Sequence, residues 1–238
     1  MKGKALLLVV FFILPWHALG AAGGAAPEGS SQRKILSPAE SLKMLENNPD
    51  YTDLSTLPHV LFNLKYATSD NFMGINMYGP LKRAFLHKDA ATKLRKAVEI
   101  LQKERPGWSF LVFDALRPRS VQWLMWNRVK DTPQRKYVAN AEIGSPHNYG
   151  MALDISLADE KGSELDMGTG FDSFTDLSEP QLEKKFVREG KLTPGQLENR
   201  LILRKVMTQA GFLPIAHEWW HFNALPEPEI RKKYKIVE

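Results

Sequence analysis

The apolar residues repeat with two different periods along the chain. In "HKDAATKLRKAVEILQKERPG" (87–107), Ala91, Leu94, Val98 and Leu101 recur at three- and four-residue spacing. That predicts a core-facing helix ending at Pro106-Gly107. "PRSVQWLMWNRVK" (118–130) reads the same way, with Val121, Leu124, Met125 and Val129 on the buried face. "TPGQLENRLILRKVMTQAGF" (193–212) adds start and stop signals: Thr193 as cap, Pro194 in the first turn, Gly211 at the end. "SPAESLKMLENNPD" (37–50) opens on Ser37, Pro38 and Glu40, the pattern of a capped short helix.

Other segments alternate. "GMALDISL" (150–157) places Met151, Leu153, Ile155 and Leu157 on one side and Ala152, Asp154 and Ser156 on the other. It predicts a half-buried strand with Asp154 on the polar face. "VLFNLKYAT" (60–68) and "WSFLVFDA" (108–115) also read as strands. "HEWWHFNA" (217–224) is aromatic-rich and too short for a helix between Pro214 and Pro226, so it is read as a strand. Long helices mix with strands without strict alternation, which predicts an α+β fold.

Composition adds an address and removes some chemistries. The chain has 238 residues, enough for one core and one domain. Lys2 and Lys4 precede the apolar run "ALLLVVFFIL" (5–14), and small residues follow, with cleavage expected after Gly20 or Ala21. Residues 1–20 are therefore read as a secretory signal peptide, too short in its apolar part for a membrane span. Residues 21–35, rich in Gly, Ala and Ser, read as a flexible linker, and 36–238 as a single domain. The expected location is across the inner membrane, in the periplasm, with no stable membrane anchor once the signal is removed. Cysteine is absent, so thiol nucleophiles, thiolate ligands and disulfides are excluded, and any metal must be held by nitrogen and oxygen. The formal charge of +5 falls to +3 when Lys2 and Lys4 leave with the signal. No basic stripe with interleaved aromatics accompanies it, so no nucleic-acid partner is expected.

Three polar clusters could carry chemistry. In "GSPHNYGMALD" (144–154), His147 and Asp154 could share a metal if the chain folds back at Gly150. A histidine hydrogen-bonded in a turn and an exposed strand aspartate is the other reading. In "HEWWHF" (217–222), Glu218 and His221 could supply a base and a ligand. Residues three apart on a regular strand face opposite ways, so this needs a bulge or a strand end. An aromatic core strand with edge charges is the other reading. In "DALRPRS" (114–120), Arg117 projects from a strand-to-helix turn, as an oxyanion clamp or as a local partner of Asp114.

Together the clusters are more specific than any one. "SPHNYGMALD" fits S-x-H-x-x-G-x-A-x-D and "EWWH" fits E-x-W-H. In this order they resemble the zinc D-alanyl-D-alanine dipeptidases, the VanX-like branch of the D,D-peptidases that share a metal-site fold with the Hedgehog signalling domain. "KYATSDNFMG" (65–74), "DALRP" (114–118) and "MGTGFDSF" (167–174) extend the likeness over roughly residues 60–225. The resemblance implies an antiparallel central sheet flanked by helices and one Zn2+ per chain on His147, Asp154 and His221. It implies Glu218 as general base, Arg117 as stabiliser of the tetrahedral intermediate, and Ser145, Asp172 and Tyr66 around the amino-terminal end of a small D,D-dipeptide. Leu116 departs from the pattern, since many members carry tyrosine there, which leaves the packing beside Arg117 open. A D,D-carboxypeptidase trimming peptidoglycan stems, and a non-catalytic metal-dependent wall-binding module, are the competing expectations. Oligomeric state is not legible.

Overall fold

A computed structural model describes residues 37–80 and 82–238, which form one compact unit. The readings of 1–20 as signal and of 21–35 as linker lie outside the described residues. In chain order the elements are α1 (Pro38–Glu46), β1 (Tyr51–Asp53), β2 (Val60–Phe62), β3 (Phe85–His87), α2 (Lys88–Glu104), β4 (Ser109–Asp114), α3 (Arg119–Val129), β5 (Ala152–Ala158), α4 (Glu183–Arg188), α5 (Pro194–Gln209), β6 (Leu213–Pro214), β7 (His221–Asn223) and α6 (Glu227–Lys233).

The expected α+β class is found. Five strands form one sheet in the order β2-β4-β5-β7-β6, and β1 pairs with β3 in a small antiparallel ribbon. The main sheet is mixed rather than wholly antiparallel, because β2 runs parallel to β4. The other three pairings are antiparallel. Helix α2 buries Ala91, Leu94, Val98 and Leu101, as its periodicity predicts, in one core with Leu203, Val206 and Met207 of α5 and the apolar side of β5. Side-chain–backbone pairs close the first turns of α1 (Ser37 with Glu40) and α5 (Thr193 with Gln196).

Four expectations change. Strand β5 is buried at every position, not half-buried. The face carrying Asp154 does not meet solvent, because a cavity is built on it, walled also by Asp172 and Trp220. The strand expected over 60–68 ends at Phe62. The chain then tightens into a 3-10 turn, Lys65–Ala67, where Tyr66 O accepts from both Met77 N and Tyr78 N. On α3, Leu124 is 49 % exposed, and the buried face is Val121, Gln122, Met125 and Val129, with a glutamine the apolar pattern does not place there. Finally, only His221–Asn223 of the segment 217–224 is strand, and His217–Trp220 forms the turn that leads into it.

Gly150 makes the bend between His147 and β5. Its φ is +64°, and an added Cβ would stand 2.8 Å from the backbone nitrogen of His87. That nitrogen donates to Gly150 O at 2.9 Å. A left-handed conformation costs an L-residue about 1–2 kcal/mol, and the backbone clash adds to it. Gly150→Ala should therefore lower unfolding stability by more than about 1–2 kcal/mol. Chemical denaturation reads this directly, and an unchanged midpoint would contradict it.

Candidate active site

The sheet register assembles the site. Asp154 on β5 lies directly opposite His221 on β7, and opposite Asp114 on β4 on its other side. A register shift between Val112 and Asp114 sets the end of β4. Three polar residues thus stand in a row across three strands. His147 joins them from a 3-10 turn, Pro146–Tyr149, whose start is fixed by Ser145 Oγ accepting from His147 N at 3.3 Å. The turn closes at Gly150, and the chain enters β5.

His147 Nε2, His221 Nδ1 and Asp154 Oδ1 converge. Their separations are 3.2 Å between the imidazoles, 2.9 Å from His221 to Asp154 and 3.4 Å from His147 to Asp154. A tetrahedral ion with bonds of about 2.0 Å spaces its ligand atoms about 3.3 Å apart. The outer nitrogens are also committed. His147 Nδ1 donates to Ala115 O at 2.6 Å, and His221 Nε2 donates to Asn223 Oδ1 at 2.9 Å. Each inner nitrogen is thereby turned to the common point, where it can offer a lone pair to a metal once any proton on it is released. The donor set, two imidazoles and a carboxylate, all buried, fits a divalent cation of zinc's preferences.

The charges in the cluster also answer one another. Burial works against ionisation of Asp154, but His147 and then His221 outweigh it and hold the carboxyl below its usual range. His221 is pushed up to about 9: burial opposes the cation, and the hydrogen bond and charge of Asp154 overcome it.

Around the cluster lies a cavity of about 160 Å³, smaller than the ~300–1,000 Å³ of pockets for drug-sized ligands. Arg117, Ser145, Tyr66, Asp172 and Glu218 all line it, so the structure brings together every site residue expected from the sequence. His217 is not among them. It is exposed and sits 3.8 Å from Glu179.

Arg117 is buried, and its local pairing with Asp114 is real. Nε and Nη2 donate to Asp114 Oδ2 at 3.0 and 2.7 Å, and Nη1 donates to Gln122 Oε1 at 2.9 Å. Burial disfavours the cation, yet Asp114 holds its pKa well above the ordinary value. A guanidinium has five N–H donors, and these contacts use three, so pairing and oxyanion binding are compatible. Nη2 also lies 3.8 Å from Asp154 Oδ2. Tyr78 Oη donates to the other oxygen of Asp114, and Gln122 Nε2 donates to Ala139 O at 2.8 Å, which fixes the whole assembly. The buried Leu116 stands beside it in a cluster with Tyr66, Val121 and Met125.

Glu218 precedes β7, and its carboxylate is 4.0 Å from His221 Nδ1. The strand end supplies the change of direction that regular pleating forbids. Burial raises its pKa, with Asp154 adding and His221, His147 and Arg117 opposing. Asp172 holds a left-handed backbone at φ +58°, uncommon outside glycine. Its Oδ1 accepts from Tyr66 Oη at 3.0 Å, whereas its Oδ2 is buried with no hydrogen-bond partner. Burial, reinforced by Asp154, raises its pKa well above the usual carboxylate range.

Sequence reasoning missed the partners that hold these groups: Gln122, Tyr78 and Asn223. Gln122 carried a signal, as a polar residue between Val121 and Met125 on the inner side of α3. Asn223 carried one too, since it shares a strand face with His221.

The sequence also matches known proteins. The family model described as D-ala-D-ala dipeptidase matches residues 50–237. A D-alanyl-D-alanine dipeptidase of Escherichia coli (strain K12) is 38 % identical over 184 residues, covering 77 % of this chain and 88 % of that protein. One from Enterococcus faecalis (strain V583) is 30 % identical over 71 % of this chain and 88 % of its own length. One from Streptomyces coelicolor is 30 % identical over the same shares of the two chains. With the match spanning the ligand cluster and the whole of the cavity wall, the chain belongs to the D-alanyl-D-alanine dipeptidase family of M15 peptidases.

Proposed function

We propose that the protein is a secreted zinc D,D-dipeptidase hydrolysing D-Ala-D-Ala. The observation that carries this reading is the orphaned Oδ2 of Asp172, buried at the cavity of about 160 Å³ beside the ligand cluster. A buried carboxylate oxygen with no partner costs free energy until a cation meets it. The ammonium of a free dipeptide is such a cation, and an interior peptide nitrogen is not.

His147, Asp154 and His221 would hold the zinc ion. When bound, it supplies Lewis-acid polarisation of the scissile carbonyl and lowers the pKa of water from about 15.7 toward about 7. Asp172 accepts from the substrate ammonium, with Tyr66 Oη fixing the carboxylate from behind. Ser145 lines the wall beside His147, where it would contact a bound dipeptide. Glu218 takes a proton from the attacking water and returns it to the leaving amine. Its raised pKa brings it nearer the working pH of such a shuttle. The two free N–H groups of Arg117 donate to the oxyanion, and Asp114 and Gln122 hold the guanidinium so that little reorganisation is needed.

A D,D-carboxypeptidase would need the cavity to continue past Asp172 into room for a stem peptide, and the orphaned carboxylate disfavours that. A binding module would need neither Glu218 nor Arg117. Assaying D-Ala-D-Ala against a pentapeptide stem, with and without chelator, separates the three. Chelator-sensitive hydrolysis of the dipeptide alone supports the proposal, and cleavage of neither by zinc-loaded protein would sink it.

Secretion is inferred from residues 1–20. Expression in a Gram-negative host should give a periplasmic chain beginning at Ala21 or Ala22, and a cytoplasmic chain retaining Met1 would overturn that address.

Glu218→Gln keeps the shape and removes the base. It should lower kcat by about 10²–10⁴-fold while the chain still binds one zinc ion. Turnover near wild type, at full metal content, would remove Glu218 from its role. Asp172→Asn should raise KM for D-Ala-D-Ala by about 10-fold or more, given the cost of unpairing a buried charged contact. It should also narrow the preference for the free dipeptide over its N-acetyl form. An unchanged preference would show that Asp172 does not read the ammonium.

A further inference from the structure

Asp172 and Glu218 come from segments far apart in sequence, and each is held by a loop rather than by sheet register. One side chain touches both loops. Arg200, on α5, is 1 % exposed. Its Nε donates to Met167 O at 2.6 Å and its Nη1 to Leu177 O at 3.0 Å. These carbonyls lie at the two ends of the segment in which Asp172 is the midpoint. Its Nη2 donates to Thr169 Oγ1 at 3.4 Å, and Thr169 Oγ1 also accepts from Trp219 Nε1 at 2.8 Å. Trp219 follows Glu218 directly, and its ring lies 5.6 Å from the guanidinium carbon of Arg200. The two loops are further stitched by Trp219 N donating to Ser178 O at 3.1 Å and by Ser178 Oγ donating to Ser173 O at 2.5 Å.

Arg200 itself touches no substrate-facing atom. We propose that it is a positioning residue, setting Asp172 and Glu218 in fixed relation to each other through the 167–177 loop, Thr169 and Trp219. A charge in the core needs a reason, because an apolar residue of similar volume packs there at lower cost. Glu183, also buried, answers the charge, at 3.5 Å from Arg200 and 2.7 Å from Arg204. It does not explain why three separate N–H groups reach loop oxygens. Only a planar fork reaches carbonyls on both sides at once; a lysine ammonium is a point donor. The proposal rests on the roles given above to Asp172 and Glu218.

The test uses Arg200→Lys and Thr169→Val in the mature zinc-loaded enzyme. Zinc per chain, kcat and KM are measured, with D-Ala-D-Ala and N-acetyl-D-Ala-D-Ala as substrates or competing ligands. Both variants should bind one zinc ion. Arg200→Lys should lose about 10–100-fold in kcat/KM per bound zinc for the free dipeptide, the scale set by misplacements of about 1 Å. Its preference for the free over the acetylated dipeptide should narrow, and Thr169→Val should shift both in the same direction. A purely structural arginine would lower the melting temperature and leave zinc-normalised kcat/KM and preference at wild-type values; that result overturns the proposal. If Arg200→Lys does not fold, Thr169→Val carries the test with the same two outcomes. Asp172→Asn separates the layers: if it keeps the full preference, the reading of Asp172 has failed. If it loses the preference while Arg200→Lys keeps it, only the positioning has failed.

Discussion

Two carboxylates, Asp114 and Asp154, face each other on adjacent strands in the interior of this protein, and both are almost wholly buried. Like charges directly opposite on a sheet repel, and taking each out of water costs several kcal/mol unless it is paired. The surrounding structure answers that constraint. Arg117 lies between them, bound to Asp114 and 3.8 Å from Asp154. Tyr78 takes the remaining oxygen of Asp114. His147 and His221 take Asp154. His147, Asp154 and His221 thereby stand together as a buried donor set that could hold a divalent cation.

The sheet makes this row rigid, and the loops make it specific. Asp154 and His221 owe their separation to strand register, with α2 and α5 packed behind them. His147 owes its place to a tight turn, with Ala115 O anchoring its ring. Asp172 is different. It hangs on a loop in a left-handed conformation, and it is positioned by Tyr66 and by the packing of Phe171 on Tyr66, Phe113 and Trp220. Strain of this kind persists only where neighbours over-determine the backbone.

What is legible in the sequence is mostly local. Helices α1, α2 and α5 announce themselves through caps and periodicity, and β5 through alternation. Alternation cannot say that the polar face of β5 is buried, because burial of Asp154 depends on residues up to 67 positions away. Binary patterning puts Leu124 inside and passes over Gln122, since it does not foresee a core glutamine whose side chain holds a buried guanidinium, that of Arg117. The alternation of "VLFNLKYAT" places Tyr66 in a strand. The backbone instead curls there so that one carbonyl serves two donors, and this brings Tyr66 to the cavity. The short β1–β3 ribbon, α4 and α6 leave too little periodic signal to be read. The candidate site is more legible than the fold around it, because histidine, aspartate and tryptophan in two motifs are rarer than any apolar pattern.

The charges facing the cavity bear on what it accepts. Asp154, Asp172, Glu218 and Glu227 line it, while the guanidinium of Arg117 is already matched to Asp114. Glu227 is already paired with Arg231, and in the proposed reading a divalent ion would answer Asp154 and a substrate ammonium Asp172. In the proposed reading, Glu218 exchanges its proton in turnover, so its charge is the one that must vary. A peptide without a free amino group would leave Asp172 either protonated or desolvated and unmatched, and discrimination by an unsatisfied buried polar group is far stronger than discrimination by fit alone. The preference for a dipeptide would then arise less from the smallness of the cavity than from a carboxylate placed where only an amino terminus can answer it.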